Sequence, residues 1–300
     1  MKMIIMGSGT SFGVPVIGCQ CRVCKSEDKR DNRYRCSAYV TDRDEKVDIV
    51  IDTGPEFRLQ ALRCGIKKID SVLITHSHAD HIYGMDDLRI FSHTRAPDPH
   101  PSKKNTESER GMPIYANTKT VEDIKYRFDY VFLPTKEGGG KPKFELHNCD
   151  DYGAENPIVI GNIQIVPVPI MHGSLRASGY LLSEIKNGEK HSIAYLTDCN
   201  YVSEESISLI KEACGVLDCL VIDALRERPH STHFSFKEAL SVAEKLKPVH
   251  TYFTHMTHDN SHVDVQNYIN AVLNEYPDLE KIVKTGGCVE PSYDGMEIVI

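Results

Sequence analysis

Thr75-His76-Ser77-His78-Ala79-Asp80-His81 places three histidines and an aspartate within six consecutive residues. The preceding stretch, residues 69–74, is apolar and rich in β-branched side chains, which is typical of a buried strand. Residues 82–91 return to a helix-like apolar pattern, with Met85, Leu88 and Phe91 on one side. The sequence therefore predicts that these polar side chains lie in a turn between a strand and a helix.

A turn allows these side chains to share metal ions. On a helix, His76 and His78 would point in nearly opposite directions because they are two positions apart. On a turn they can bind one ion, while Asp80 and His81 diverge toward a second. Imidazole and carboxylate ligands suit zinc, manganese or iron(II). A solvated histidine-rich loop is the alternative, and the strand that ends directly before the turn argues against it.

Length and composition indicate an enzyme with its own hydrophobic core. The chain has 300 residues, of which 40% are hydrophobic, and a net charge of −8, which argues against a general polyanion-binding protein. Its first residues contain too short an apolar run for a signal peptide, and nothing approaches a membrane span. Ten cysteines are then best interpreted as reduced thiols and metal ligands. We expect a cytoplasmic protein without a membrane partner.

The chain shows no boundary between two domains. Residues 1–300 are therefore predicted to form a single α/β domain. Two polar stretches, near 93–111 and 134–143, are predicted to be flexible loops, and the first of them can fold over a substrate. The glycine-rich turn over residues 7–13 lacks the Gly-Lys-Ser/Thr ending of a phosphate loop, so we expect a turn beneath the metal site.

A second metal site is predicted near the start of the chain. Gly18-Cys19-Gln20-Cys21-Arg22-Val23-Cys24 carries three thiols within six residues, at the short spacings of structural zinc sites. Three buried or redox-active thiols are the alternative. A closed zinc site needs a fourth ligand, for which Cys36 is the nearest thiol and His258 a distant candidate. With Cys36 as the fourth ligand, the cysteine zinc loop would span residues 18–36.

Polar residues recur where predicted strands end. His172, Asp198, Asp223 and His255 each follow or close an apolar, strand-like segment. Two divalent ions bridged by one carboxylate need about seven protein ligands. The candidate set is His76, His78, Asp80, His81, His172, Asp198 and His255. Asp52 also follows a predicted strand, and it can either accept a hydrogen bond from a metal-binding histidine or cap the next helix.

The segment from His76 to His81 matches the HxHxDH motif, and the order of motifs resembles the metallo-β-lactamase superfamily over nearly the whole chain. Residues 7–11 and the cysteine cluster narrow the resemblance to the branch that contains the phosphonate-pathway cyclic-phosphate phosphodiesterase. This resemblance implies a four-layer αββα sandwich with two divalent ions, manganese or zinc and possibly iron, and one structural zinc. The implied ligands are His76, His78 and His172 for one ion, Asp80, His81 and His255 for the other, Asp198 as the bridge, and Cys19, Cys21, Cys24 and His258 for the structural zinc.

The resemblance also implies catalytic residues, namely Asp80, Asp198, His233 and Asp223. His233 opens a predicted helix, and it is expected to bind a non-attacked phosphate oxygen or to protonate the leaving alkoxide, oriented by Asp223. Without the resemblance, a histidine in this position would be interpreted as a cap or a surface residue. Arg226 and Arg228 can act as phosphate clamps or lie on the surface.

The implied function is a dinuclear phosphodiesterase. Its expected substrate is a small or cyclic phosphodiester, of the 5-phosphoribosyl 1,2-cyclic phosphate or 2′,3′-cyclic nucleotide type, attacked by a metal-bridging hydroxide. One alternative is a ribonuclease Z-like nuclease that processes transfer-RNA 3′ ends, against which the acidic chain and the thiol cluster argue. The other is a carrier like the pyrroloquinoline-quinone biosynthesis protein, against which the complete ligand set argues. A homodimer is expected.

Overall fold

A computed structural model describes residues 1–44, 46–93, 111–134 and 141–300. Within these residues the strands form two mixed, seven-stranded sheets. The first sheet contains, in spatial order, β14 (Glu297–Val299), β1 (Lys2–Gly7), β2 (Ser37–Thr41), β3 (Asp48–Ile51), β4 (Ser71–Leu73), β5 (Met112–Ala116) and β6 (Phe144–Asn148). The second contains β13 (Cys288–Pro291), β12 (His250–Thr254), β11 (Val216–Asp223), β10 (Glu189–Leu196), β9 (Leu175–Lys186), β8 (Ile163–His172) and β7 (Ile158–Ile160).

Helices cover the outer face of each sheet. The first sheet packs on α1 (Phe57–Cys64), α2 (Ala79–Ile82), α3 (Arg89–His93), α4 (Thr118–Arg127) and α5 (Asp129–Phe132). The second packs on α6 (Glu204–Ala213), α7 (Phe236–Leu246), α8 (His262–Val272) and α9 (Pro277–Lys284). Short 3-10 turns lie at Lys29–Asp31, Met85–Leu88, Cys149–Asp151 and Leu273–Glu275.

Alternation along the strands explains the layering. In β1, Met3 and Ile5 enter the core between the two sheets, whereas Ile4 and Met6 pack against the helices. Side chains on a strand alternate between its faces, so a strand that is apolar at every position is buried on both sides. β10 repeats this pattern, with Ile193 and Tyr195 directed inward. The predicted four-layer αββα sandwich is confirmed.

Strand direction brings the polar strand ends together. β3, β4, β5 and β6 run parallel to one another, as do β10, β11, β12 and β13. Parallel strands deliver all their carboxyl ends to one edge of a sheet. Asp52, the histidine turn, Asp198, Asp223 and His255 therefore meet at the same edge of the sandwich, as the sequence predicts.

The helix expected over residues 82–91 is broken into three pieces. α2 ends at Ile82, a 3-10 turn covers Met85–Leu88, and α3 starts at Arg89. The break follows from Gly84, whose N–H donates to the carbonyl of Thr53 at 2.8 Å and whose backbone passes against Gly54. A side chain at this position would collide with the Gly54 carbonyl, so the chain bends onto the end of β3 instead of continuing the helix.

Other local predictions are confirmed. Asn187 and Gly188 form the hairpin turn between β9 and β10. Ser235 and Glu238 make the reciprocal hydrogen bonds of a capping box at the start of α7. The two prolines of β8 lie beyond the three residues that pair with β7, where only β9 is bonded to the strand. This free side accommodates residues that have no N–H to donate.

Some expectations fall outside the described residues. These are the flexible loops near 93–111 and 134–143, most of which belong to the undescribed ranges 94–110 and 135–140. The organisation of residues 1–300 as one domain stays a prediction. None of the helices within the described ranges combines the length and the apolar character that a membrane span requires.

We predict that Gly54→Ala lowers the free energy of unfolding by about 3 kcal/mol, since a Cβ atom there would lie 2.2 Å from the Asp80 carbonyl oxygen. Urea denaturation would measure the loss. Gly153→Ala is the matched control, because a Cβ atom at residue 153 meets nothing within 4 Å. Equal unfolding free energies for the two variants would contradict the close approach of these segments.

Candidate metal centre

Three imidazole rings form the first group of candidate ligands. His76 and His78 come from the turn after β4, and His172 ends β8 in the other sheet. Their ring centroids lie 4.5–5.2 Å apart, and one nitrogen of each ring lies within 4.8 Å of the others. The two sheets therefore have to be packed together before this group exists. We name it the three-histidine group.

A second group, here named the mixed group, consists of Asp80, His81, Asp198 and His255. The Asp198 Oδ1 atom lies 3.0 Å from His255 Nε2 and 3.3 Å from His81 Nε2. Asp80 Oδ2 lies 3.3 Å from the same His81 nitrogen. Asp198 also lies within ligand distance of His172, so its carboxylate stands between the two groups.

A buried carboxylate orients two of the three histidines of the turn, His81 directly and His76 through Thr75. Asp52 accepts hydrogen bonds at 2.8 Å from the Thr75 backbone N–H, the Thr75 hydroxyl and His81 Nδ1. The Thr75 hydroxyl in turn accepts from His76 Nδ1 at 3.1 Å. Asp52 is therefore the acceptor for a candidate ligand, and α1 begins without a side-chain cap. In the other sheet, His172 Nδ1 donates to the Thr232 carbonyl at 2.8 Å.

These bonds leave the Nε2 atoms of His76 and His81 available to a metal ion, whereas neither ring nitrogen of His255 has a hydrogen-bond partner within the described residues. The Nε2 atoms of His76, His81 and His255 are buried and have no hydrogen-bond partner within the described residues. Two of them face carboxylate oxygens at 3.0–3.3 Å, so in the neutral form that binds metal like partial charges meet in a site that excludes water. Such an arrangement is costly unless a cation lies between the atoms. The side chains present therefore fit divalent metal ions.

The electrostatics of the site determine the protonation states of the candidate ligands. Burial lowers the pKa of His76 well below its ordinary value and lowers that of His172 to about 4, so both rings are neutral near pH 7. Burial alone would raise the pKa of Asp198, but His255 and His81 together hold it well below its ordinary value. Neutral imidazole and ionised carboxylate are the forms that bind metal, so His76, His172 and Asp198 are already in the required form. Burial opposes a charge on His81, but Asp198, Asp80 and Asp52 raise its pKa well above the ordinary value, so this ring gives up a proton when a metal ion binds.

Backbone conformation also marks the site. Asp52, Asp198 and His255 have φ values of 60°, 53° and 61°, in the left-handed region. This region is uncommon for residues other than glycine, although Asp, Asn and His adopt it more readily than most residues. Each of the three follows the end of a strand, where the turn redirects the side chain toward the shared edge. Such strain concentrates at functional sites.

His233 and Asp223 lie beside both groups. His233 Nδ1 bonds to Asp223 Oδ2 at 2.7 Å, and the ring stacks on His255 at 4.5 Å and lies 4.6 Å from His172. Because Asp223 occupies Nδ1, the Nε2 atom is the one left for another partner. Burial lowers the pKa of His233. The geometry thus places an oriented imidazole next to the candidate ligands.

The cysteine cluster closes around His258. The Nδ1 atom of His258 lies 3.3 Å from the Cys19 sulfur, 3.5 Å from that of Cys21 and 3.4 Å from that of Cys24. Ligands on a tetrahedral zinc ion are separated by about 3.5 Å, given the usual Zn–S and Zn–N distances. Cys36, the alternative fourth ligand, lies outside this cluster and is buried against the Thr254 hydroxyl at 3.4 Å.

Three residues that support the site were missed in the sequence. Thr75, which links Asp52 to His76, stands next to the motif and carries a hydroxyl that signals hydrogen bonding. Asp123 accepts from the Ser77 hydroxyl at 2.6 Å, and Arg127 donates to the Ser77 carbonyl. Both belong to α4, and no local pattern indicates that this helix would pack against the turn.

Comparison with known proteins gives the family. The family model for a beta-lactamase superfamily domain matches residues 48–256. The chain belongs to the metallo-β-lactamase superfamily. This range contains both the three-histidine group and the mixed group.

Individual relatives cover most of the chain. An octanoyltransferase of Porphyromonas gingivalis is 32% identical over 302 residues, which are 100% of this chain and 52% of that protein. The chain thus spans about half the length of this relative. A ribonuclease Z of Borrelia recurrentis is 21% identical over 82% of this chain and 88% of its own. A crystal structure of a new diphosphatase from the PhnP family has 35% identity, a TM-score of 0.75 and coverage of 100% and 97%. The family resemblance is confirmed.

We expect Asp52→Asn to weaken metal binding at the mixed group by about 10- to 100-fold, because His81 loses its anionic hydrogen-bond acceptor. Asparagine tolerates the left-handed conformation of residue 52, so the backbone is preserved. Competition with a chromophoric chelator would measure the affinity. Asp48→Asn is the control, since Asp48 is buried at the opposite end of the same strand and contacts Tyr39 and Lys68. Equal metal affinities in both variants would contradict the orienting role of Asp52.

Proposed function

We propose that the protein is a dinuclear metal-dependent phosphodiesterase that hydrolyses small or cyclic phosphodiesters. The observation that carries this proposal is the position of the Asp198 carboxylate between two groups of candidate ligands. An arrangement of this kind suits two ions a few Å apart. When bound, two divalent ions lower the pKa of water and stabilise the charge that develops on phosphoryl oxygens.

In this proposal each group holds one ion. The three-histidine group binds the first ion, and Asp80, His81 and His255 bind the second, with Asp198 as the bridging ligand. Manganese, zinc and iron all suit this mixture of imidazole and carboxylate. The cysteine cluster with His258 binds a structural zinc, because four protein ligands leave no open position for chemistry.

His233 acts on the substrate rather than on the ions. Its Nδ1 atom is held by Asp223, so its Nε2 atom presents either a hydrogen bond to a non-attacked phosphoryl oxygen or a proton to the leaving alkoxide. The adjacent rings of His172 and His255 keep it within reach of a phosphoryl group held between the two ligand groups. Asp223 is a positioning residue that selects the tautomer of His233.

A small substrate is favoured over RNA. The relative with 35% identity across the whole chain is described as a diphosphatase, and the protein carries a net charge of −8. The similarity to a ribonuclease Z supports a nuclease as the second candidate, but at 21% identity. A carrier without catalysis would not need the complete set of candidate ligands. The homodimer and the cytoplasmic location stay predictions.

Metal content measured together with turnover tests the proposal. We expect about three ions per chain by elemental analysis, two in the active site and one at the thiols. Turnover should occur with bis-p-nitrophenyl phosphate and 2′,3′-cyclic nucleotides, but not with p-nitrophenyl phosphate or a transfer-RNA precursor. Cleavage of the precursor alone would indicate the nuclease. One zinc per chain and no turnover after manganese is added would indicate a binding protein.

Asp198→Ala should reduce the metal content from about three ions to about one and lower kcat/KM by at least about 1,000-fold, because both ions lose a shared ligand. The remaining ion should be the zinc of the cysteine cluster. Asp44→Ala removes an exposed carboxylate at the opposite edge and should change neither value. Retained turnover by a metal-free Asp198→Ala preparation would contradict the dinuclear proposal.

His233→Gln separates the two roles proposed for His233. If the imidazole protonates the leaving group, kcat falls by about 100- to 10,000-fold for a substrate with an alkoxide leaving group. Bis-p-nitrophenyl phosphate should lose much less, since p-nitrophenolate leaves without a proton. Equal losses on both substrates would instead assign the hydrogen bond to a non-attacked oxygen. Metal content serves as the control and should be unchanged.

A further inference from the structure

The orientation of His255 is not explained by any hydrogen bond of its ring within the described residues. Its Nε2 atom faces the Asp198 Oδ1 atom at 3.0 Å, on the side of the mixed group. Its Nδ1 atom is buried and also lacks a hydrogen-bond partner in this part of the chain. A metal-binding histidine almost always donates its other ring N–H to a carboxylate, a carbonyl or a water molecule, which holds the ring in place. His255 therefore needs an acceptor on its Nδ1 side.

The other three buried imidazoles of the ligand groups each have an acceptor on Nδ1. These acceptors are the Thr75 hydroxyl for His76, the Asp52 carboxylate for His81 and the Thr232 carbonyl for His172. His78 is exposed, so water can take the same place. His255 is thus the exception among the buried rings.

Asp223 is a buried carboxylate beside this ring, and only one of its oxygens is engaged. The Oδ2 atom accepts from His233 Nδ1 at 2.7 Å and from the Cys199 backbone N–H at 3.1 Å. The Oδ1 atom is buried and has no hydrogen-bond partner within the described ranges. Burial raises the pKa of Asp223 well above its ordinary value, and His255 is the group that lowers it most strongly. A donor for the second oxygen would offset part of the cost of burying this carboxylate.

The second sheet places Asp223 and His255 next to each other. Asp223 ends β11 and is paired with Thr254, the last residue of β12, so that His255 follows directly after the pair. The Ala224 N–H donates to the Thr254 carbonyl at 2.9 Å, which continues the pairing beyond the strand ends. One ring nitrogen of His255, one of His233 and a carboxylate oxygen of Asp223 all lie within 4.8 Å of one another.

The two imidazole rings lie parallel to each other beside this carboxylate. The centroids of His233 and His255 are 4.5 Å apart, and the ring planes differ by 16°. An ionised carboxylate has two oxygens with about four lone-pair positions, so it can accept from both rings. A metal ion among these three residues is disfavoured, because His233 Nδ1 already bonds to Asp223 and His255 Nε2 faces the mixed group.

We propose that Asp223 orients His255 as well as His233, so that one carboxylate positions both a metal ligand and the residue that acts on the substrate. This inference rests on the proposed function, in which His255 binds the second ion. Asp223 touches neither the ions nor the substrate, and it remains a positioning residue. Its loss should weaken the metal site, which the loss of His233 should not do.

Metal affinity separates this proposal from a role on His233 alone. In Asp223→Ala we expect metal binding at the mixed group to weaken by about 10- to 100-fold, because His255 loses its acceptor. His233→Gln removes the other imidazole and should leave the affinity unchanged. Competition between the manganese-loaded protein and a chromophoric chelator measures both variants. Wild-type affinity in Asp223→Ala would overturn the proposal, and so would an equal loss in His233→Gln.

Two further variants separate the contact from general damage to β11. Asp223→Asn keeps the shape of the side chain and one acceptor oxygen, so it should lose less affinity than Asp223→Ala. If Asp223→Ala does not fold, wild-type affinity in Asp223→Asn would overturn the proposal. Asp218→Asn is the matched control, because Asp218 lies 2.9 Å from His191 Nδ1 near the opposite end of the same strand. It should bind metal as the wild type does, and a loss as large as that in Asp223→Asn would contradict the proposal.

Turnover at different metal concentrations gives a second readout. At limiting manganese, Asp223→Ala should hydrolyse bis-p-nitrophenyl phosphate at least about 10-fold more slowly than His233→Gln, since it binds the ion more weakly. Excess manganese should remove this difference, because both variants then hold the ions and both lack an oriented imidazole at residue 233. A difference that persists at saturating manganese would count against a role in metal binding.

The outcome for the proposed function is read separately. If the wild-type protein binds metal at the mixed group but turns over no diester, the phosphodiesterase is rejected, and the affinities still test the role of Asp223. If only the zinc of the cysteine cluster is bound, the dinuclear centre is rejected, and nitrogen-15 NMR of the histidine rings decides. A His255 Nδ1 proton, assigned with His255→Gln, should exchange slowly in the wild type and rapidly in Asp223→Ala. Equal exchange rates would overturn the proposal.

Discussion

The buried carboxylate of Asp52 accepts three hydrogen bonds from the histidine turn, and the placement of both ligand groups depends on them. The donors are the Thr75 N–H, the Thr75 hydroxyl and His81 Nδ1, all at 2.8 Å. A buried carboxylate without such donors would be strongly destabilising. The hydrogen bonds therefore hold the histidine turn and the end of β3 in a defined position relative to each other. Through the Thr75 hydroxyl the same carboxylate also determines the tautomer of His76, so that one residue orients a histidine in each ligand group.

This orientation creates a local conflict when both rings are neutral, which is the form that binds metal. With their Nδ1 atoms engaged, His76 and His81 direct bare Nε2 atoms inward, where the carboxylates of Asp80 and Asp198 already lie. The left-handed conformations of Asp52, Asp198 and His255 add further strain at the same edge. A bound ligand can offset the free-energy cost of the facing acceptor atoms and of the strained backbone. A cation between the acceptors would do so directly, because it is attracted to all of them.

The local part of the site is readable in the sequence. The histidine motif, the strand before it and the polar residues at later strand ends all follow from short-range patterns, as does the alternation that buries both faces of β1 and β10. The sequence left open whether Asp52 would cap α1 or bind a histidine. The structure assigns Asp52 to His81 and Thr75, and the chain after the turn bends back against Gly54, where Gly84 has no side chain to block it.

Long-range partners were harder to predict. Cys19 and His258 are separated by more than two hundred residues, and residue spacing alone favours Cys36 as strongly. Asp123 and Arg127 reach Ser77 only because α4 packs on the first sheet. Such contacts are determined by how helices and sheets pack, and a single sequence carries no local trace of that packing.

The short segment from His255 to His258 joins the mixed group to the cysteine cluster, and its backbone is held from both sides. The Met256 N–H donates to the Ser8 carbonyl at 3.0 Å, and the Thr10 N–H donates to the Met256 carbonyl at 3.2 Å. The buried Arg33 donates to the carbonyls of Thr257 and Asn260, at 2.6 and 3.1 Å. Gly9 permits the close approach of the Arg33 backbone to this turn, because a Cβ atom at residue 9 would lie 2.9 Å from the Arg33 carbonyl oxygen.

The glycine-rich turn near the start of the chain therefore has a structural role, in line with its lack of a phosphate-loop ending. It places the loop after His255 by backbone hydrogen bonds that need no metal. The position of His255 is therefore supported independently of the cysteine cluster, since Met256 is bonded to Ser8 and Thr10. A zinc ion at the thiols would stabilise the far end of this loop, whereas the geometry of the catalytic end follows from the sandwich itself.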